Sequence, residues 1–87
     1  MYRIAFNRNA AKTFEKLERS LQKRILGKIE ALAMEPKPLD SRKIMGMDNA
    51  YRIKVGNYRI VYDIFDETLL IEVLRIGHRR EVYRNLK

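Results

Sequence analysis

The chain has 87 residues, of which 46% are hydrophobic and 34% charged, with a formal charge of +8 and no cysteine. This size and composition indicate one small globular domain spanning 1–87, with a modest core. They exclude a disulfide framework, a thiol nucleophile, a thiolate zinc site and a membrane span, and with no signal-peptide core a cytoplasmic protein is expected.

The excess charge favours a polyanionic partner, although on charge alone a solubilising surface accounts for it equally well. It is spread along the chain, +5 over residues 1–50 and +3 over residues 51–87. No block of like charge reads as a disordered tail, so any basic surface has to be assembled by folding.

In chain order, Tyr2–Phe6 alternates polar and apolar residues and predicts a strand. Asn7 or Asn9 then caps a helix running to about Arg19, with Ala10, Phe14 and Leu17 on one face. Ser20 is the expected cap of a second helix, whose stripe is Leu21, Ile25, Ile29 and Leu32. Pro36 and Pro38 end it, because proline cannot continue a helix and disfavours helix in the residue before it. The two helices form a hairpin. A short strand is expected within Ser41–Met47, where Gly46 and Asp48-Asn49 interrupt the pattern.

Residues 51–62, Tyr-Arg-Ile-Lys-Val-Gly-Asn-Tyr-Arg-Ile-Val-Tyr, predict a β-hairpin closed at Gly56-Asn57. Closure there sets Lys54 opposite Arg59, a like-charge pair that stability alone would not choose. Alternation puts Tyr51, Ile53, Val55, Tyr58, Ile60, Tyr62 and Ile64 on a face that packs on the helices. Arg52, Lys54, Arg59, Val61 and Asp63 take the other. After a turn near Asp66-Glu67, Thr68–Ile76 predicts a further strand, broken by Gly77, and Arg79–Leu86 a short terminal helix. The turn length is open, and a one-residue slip swaps faces, so Arg75 has no assigned direction.

The fold class expected is therefore α+β: a mostly antiparallel twisted sheet on an N-terminal helical hairpin, ordered β-α-α-(β)-β-β-β-short helix. The tail carries Gly77-His78-Arg79-Arg80-Glu81-Val82-Tyr83-Arg84. His78 is the one histidine, a residue type suited to moving a proton near neutral pH. A lone histidine without cysteines or a carboxylate pair lacks a metal ligand set, and no glycine-rich phosphate loop is present, so neither metal nor cofactor is expected.

The hairpin motif, the acidic turn, the apolar strand and Gly-His-Arg-Arg-Glu-Val-Tyr83 together resemble the RelE/ParE superfamily of type II toxin–antitoxin systems. Lys43-Ile44-Met45-Gly46 resembles the lead-in common there, and the tail signature leans to the RelE branch. The resemblance implies a ribonuclease toxin that cuts messenger RNA in the ribosomal A site without metal and is held inactive by a cognate antitoxin. It carries the hairpin's catalytic cations onto Arg52, Lys54 and Arg59, the arginine after the last strand's glycine onto Arg79 and the tail tyrosine onto Tyr83. The catalytic candidates are Lys54, Arg59, Arg79 and Tyr83, and the RNA-binding candidates Arg52, His78, Arg80 and Arg84. Arg52 stands where the best-known members carry lysine. Arginine does not usefully release a proton, so Lys54 is the candidate base. Two alternatives stay open: a ParE-like gyrase inhibitor that acts by binding, and an inactive basic RNA-binding remnant.

Overall fold

The computed structural model of the chain describes residues 1–83. Their elements are β1 (Arg3–Phe6), α1 (Arg8–Glu15), α2 (Arg19–Leu32), β2 (Arg42–Lys43), β3 (Ala50–Val55), β4 (Tyr58–Phe65) and β5 (Leu70–His78). The strands form one sheet in the order β1-β5-β4-β3-β2. Only β1 and β5 pair in parallel, so the expected α+β architecture is the observed one.

Asn7 is the α1 cap, its side chain accepting a hydrogen bond from the Ala10 N–H at 2.8 Å. Such a cap satisfies a donor that the first helical turn leaves free. The second cap is Glu18 rather than Ser20, which lies inside α2 and donates from its hydroxyl to the Glu18 carboxylate. The Gln22 side-chain amide donates to the Phe14 carbonyl at 2.8 Å and ties the two helices together. Among the described residues, no helix is long and apolar enough to cross a membrane.

Both helices cover one face of the sheet, here the helix face. Ala10, Ile25, Ile29 and Leu32 pack there on Ile53, Ile60, Tyr62, Ile71, Val73 and Ile76, all of them buried. Strand periodicity sends the intervening residues to the opposite, open face. The Tyr62 hydroxyl, anchored in the core, donates to the Pro36 carbonyl at 2.7 Å and so fixes the proline-containing link between α2 and β2.

Besides the α2 cap, α1 ends at Glu15 and not near Arg19, and further boundaries differ from expectation. β2 is only two residues long, because the chain turns at Gly46 with φ of +83° and Lys43 Nζ bonds the Met47 and Asp48 carbonyls instead of continuing a strand. Gly77 does not break β5; it pairs with Arg59 inside it. A Cβ there would lie 3.4 Å from Val82 Cβ, so the missing side chain leaves Val82 close against the strand. Residues 79–83 make turns and not a helix, with the Glu81 and Val82 amides both donating to the His78 carbonyl. Arg84 and the rest of the expected terminal helix lie outside the described residues.

The β4–β5 turn takes four residues, 66–69, and pairs Phe65 with Leu70. Unbroken alternation from that pair would send Arg75 to the helix face. Instead the register shifts between Val61 and Tyr62, whose partners are Arg75 and Val73, and Leu74 is left as the extra residue of a bulge. The bulge returns Ile76 to the core and puts Arg75 on the open face.

Candidate active site

The site is built on the β3–β4 hairpin. Of its two turn residues Gly56 alone has a positive φ, +58°, the signature of a type II′ turn. That turn fixes the register, with Lys54 opposite Arg59 and Arg52 opposite Val61. Lys54 is exposed, whereas Arg59 is half-buried and donates from Nη1 to the Gly56 and Tyr58 carbonyls at 3.1 and 3.0 Å. Those two bonds hold the Arg59 guanidinium against the turn.

The tail is fastened to the same turn. The Arg79 backbone N–H donates to the Asn57 carbonyl at 2.8 Å, and Val82, 2% exposed, packs against Gly77. Arg79 is thereby held beside the hairpin turn, and Tyr83 follows Val82 with its side chain exposed. Arg80 is exposed, and its N–H reaches His78 Nδ1 at 3.4 Å.

Not every expected residue joins this group. His78 pairs with Tyr58, a helix-face position, and meets its ring edge-on with centroids 6.0 Å apart. It lines a cleft with Asn9, Thr13 and Leu17 of the helical hairpin, away from Lys54 and Arg59. Lys54, Arg52 and Arg59 are brought together on the open face, and Arg79 is brought to the turn by its backbone. Among the described residues no three of His, Asp and Glu stand together as a metal set.

Three further cations were not placed at the site by sequence reasoning, Arg75 because its direction was left open. Arg42 of β2 sits directly opposite Arg52. Arg75 occupies the same row across Val61. Arg24 of α2 reaches over the turn, where a Cβ on Gly56 would lie 3.2 Å from its Nη2. A break in the strand hydropathy after Leu74 was the only signal for Arg75, and Arg24 had none.

The open face is therefore ordered in rows across the sheet. One holds Lys54, Arg59 and Gly77; the next Arg42, Arg52, Val61 and Arg75; the third Ala50, Asp63, Glu72 and Ala5. Burial, and secondarily the facing Glu72, pushes the Asp63 carboxyl above the usual aspartate range. Chemically, the first two rows supply guanidinium forks for a tetrahedral oxyanion and one amine able to accept a proton.

A family model described as the ParE toxin of type II toxin–antitoxin systems, parDE, matches residues 4–83. A putative RelE-like toxin protein of Escherichia coli is 31% identical over 80 residues, covering 90% of this chain and 83% of that protein. The mRNA interferase toxin RelE of the same species is 30% identical over 86 residues, covering 94% and 90%. The crystal structure of isolated E. coli RelE superposes with a TM-score of 0.81 at 28% identity, covering 90% of this chain and 84% of that one. The archaeal RelE–RelB complex of Pyrococcus horikoshii gives 0.80 at 26%, covering 93% and 98%.

Proposed function

The chain belongs to the ParE toxin family of type II toxin–antitoxin systems, and from that premise we propose that it is a metal-independent endoribonuclease that cuts messenger RNA. The observation that carries this reading is that three basic residues meet at one turn: Lys54 faces Arg59 across the hairpin, and the Arg79 backbone N–H is tied to the Asn57 carbonyl at 2.8 Å. Its most similar curated relatives include an mRNA interferase.

RNA cleavage without a metal begins with attack of a 2′-OH on the adjacent phosphorus, and that hydroxyl is what separates RNA from DNA. The O2′–P bond forms and the P–O5′ bond breaks, leaving a 2′,3′-cyclic phosphate and a 5′-OH. Lys54 takes the 2′ proton as the general base. The guanidinium of Arg59, already anchored to the turn, and that of Arg79 hold the phosphate oxygens as negative charge builds on them. The proton taken by Lys54 returns to the leaving 5′ oxygen directly, through water or through a ribosomal group. Tyr83, exposed beyond Val82, offers a ring on which a base can stack. The ribosomal A site as the place of cleavage, a cytoplasmic location and a cognate antitoxin as the partner in the resting state belong to the same proposal; solved relatives include toxin–antitoxin complexes.

The test incubates the antitoxin-free protein with messenger RNA, with and without ribosomes, and maps the cut ends. K54A, R59A and R79A should each lower the cleavage rate by about 10²–10³, the usual loss for one transition-state contact, with the fold retained by circular dichroism. Full cleavage by the triple variant would sink the reading. Trapping of gyrase with transcripts intact would select the binding-only alternative.

A further inference from the structure

Beyond the Lys54–Arg59 row, the open face carries a second cationic cleft. It measures about 200 Å³ and is lined by Asp40, Arg42, Arg52 and Lys54. Arg42 and Arg52 face each other across β2 and β3, a second like-charge cross-strand pair that stability does not favour. Arg52 Nη1 is buried, and among the described residues no acceptor meets it. A buried donor without an acceptor is unfavourable, so an acceptor from outside relieves it.

The other groups in the cleft are already oriented. Arg42 Nη1 donates to the Ser41 and Leu39 carbonyls at 3.0 and 3.3 Å, which sets the plane of its guanidinium. The carboxylate of Asp40 is paired chiefly with Lys28 of α2 at 2.8 Å and more weakly attracted by Arg42. What remains toward an incoming group is the positive charge of Arg42, Arg52 and Lys54. The volume corresponds to roughly seven waters at about 30 Å³ each. That admits a phosphate group and is below the usual size of a pocket for a larger ligand.

We propose that Arg42 and Arg52 form a second phosphate subsite, which takes the RNA phosphodiester next to the one held at Lys54 and Arg59. The proposal rests on the RNA reading above. Arg52 and Lys54 are two residues apart on one face of β3, about 6.7 Å, a spacing that consecutive phosphates of a single strand can match. Lys54 borders both subsites. Two guanidinium forks suit a tetrahedral phosphate with several acceptor oxygens. The strand would then cross the open face from β4 toward β2.

The probe is a short RNA bearing 2′-O-methyl groups throughout, which binds without being cut, with one uncharged methylphosphonate placed at each linkage in turn. Affinity is read by fluorescence anisotropy over a range of salt. R42A should bind about tenfold more weakly at low salt, with the slope of log affinity against log salt reduced by about 0.7, one phosphate contact on a single strand. One linkage should exist whose neutralisation weakens the wild type and not R42A, adjacent to the linkage to which R59A is insensitive. R42K, which keeps charge and loses the fork, should fall between. Arg42 is exposed on a two-residue edge strand, so its variants should keep the fold, and R42A, which removes the Arg42–Arg52 repulsion, should melt no lower than the wild type. If R42A maps to no linkage, or to the same one as R59A, the subsite is refuted. It is refuted equally if R42A weakens only antitoxin binding. Arg42-dependent binding of RNA that the protein never cuts, with or without ribosomes, would support the subsite and overturn the nuclease reading.

Discussion

Val82→Ala tests how the tail is held to the hairpin. Val82 is 2% exposed and packs on Gly77, so the substitution removes two buried methyl groups. At about 0.8 kcal/mol per buried carbon the loss is about 1.6 kcal/mol before any cavity term, which multiplies the open population of the tail roughly 15-fold. The amides that report the opening are Arg79, bonded to Asn57, and Val82, bonded to His78. Hydrogen exchange by NMR should show both speeding up by that factor. Core amides such as Ile60 and Val73 should keep their rates, because opening of a chain end is local. Cleavage should fall by no more than the same factor, since only the docked tail holds Arg79 at the turn. Equal acceleration of tail and core amides would refute the reasoning, for it would make Val82 part of the global core and not a local clasp.

Gly77→Ala should be tolerated, since its Cβ would meet Val82 at an ordinary 3.4 Å, whereas Gly77→Val should displace Val82 and reproduce the V82A exchange pattern with the sheet intact. Tyr62→Phe loses the 2.7 Å bond to Pro36, about 1 kcal/mol, and should lower Tm by roughly 4–8 °C in thermal unfolding. Burial holds the Tyr62 phenol above its usual value of 10, so the unfolded chain ionises first. Wild-type stability should therefore fall as pH rises past that value, more steeply than that of Y62F. For Asp63, burial and Glu72 raise the folded-state value above the ordinary 3.8, so stability is lost as pH rises through that range and stays lost at neutrality. Asp63→Asn should melt higher than wild type near pH 7, with the difference closing below about pH 3.8; a lower Tm at neutrality would contradict the sign.

The hairpin was legible because three local signals agreed: alternation, a Gly-Asn turn and an apolar stripe with a helical hairpin to cover it. Its register, and with it the Lys54–Arg59 pair, followed from counting out from the turn. What failed was decided by non-local geometry. Arg75 could not be placed, since its direction depends on a bulge at Leu74 that serves to return Ile76 to the core. Gly77 read as a breaker because sequence shows a missing side chain and not the Val82 that comes to lie beside it. Ser20 is a good cap by type, but the helix starts before it, at Arg19. His78 joined the site on paper through its neighbours Gly77 and Arg79, although period-2 alternation from the Tyr58 pairing sends it to the helix face.

The division between the two faces explains how so small a domain tolerates its charge pattern. On the helix face, the rows through Ile53–Ile60–Ile76 and Tyr51–Tyr62–Val73 are apolar or aromatic and closed by α1 and α2. The open face carries three directly opposed like-charge pairs: Lys54–Arg59, Arg42–Arg52 and Asp63–Glu72. Each is unfavourable, by an amount on the order of the roughly 0.2–1 kcal/mol that favourable pairs contribute. Together they are a noticeable fraction of the 5–15 kcal/mol that typically separates folded from unfolded. Neutralising ligands recover that energy only in the folded state, so their binding raises stability. An RNA strand answers the two cationic rows and is repelled by the Asp63–Glu72 row, which bounds how far it extends across the sheet. A protein segment that covers all three rows must carry acidic groups at one end and basic ones at the other. The order of charges across one sheet face thus distinguishes a substrate from an inhibitor.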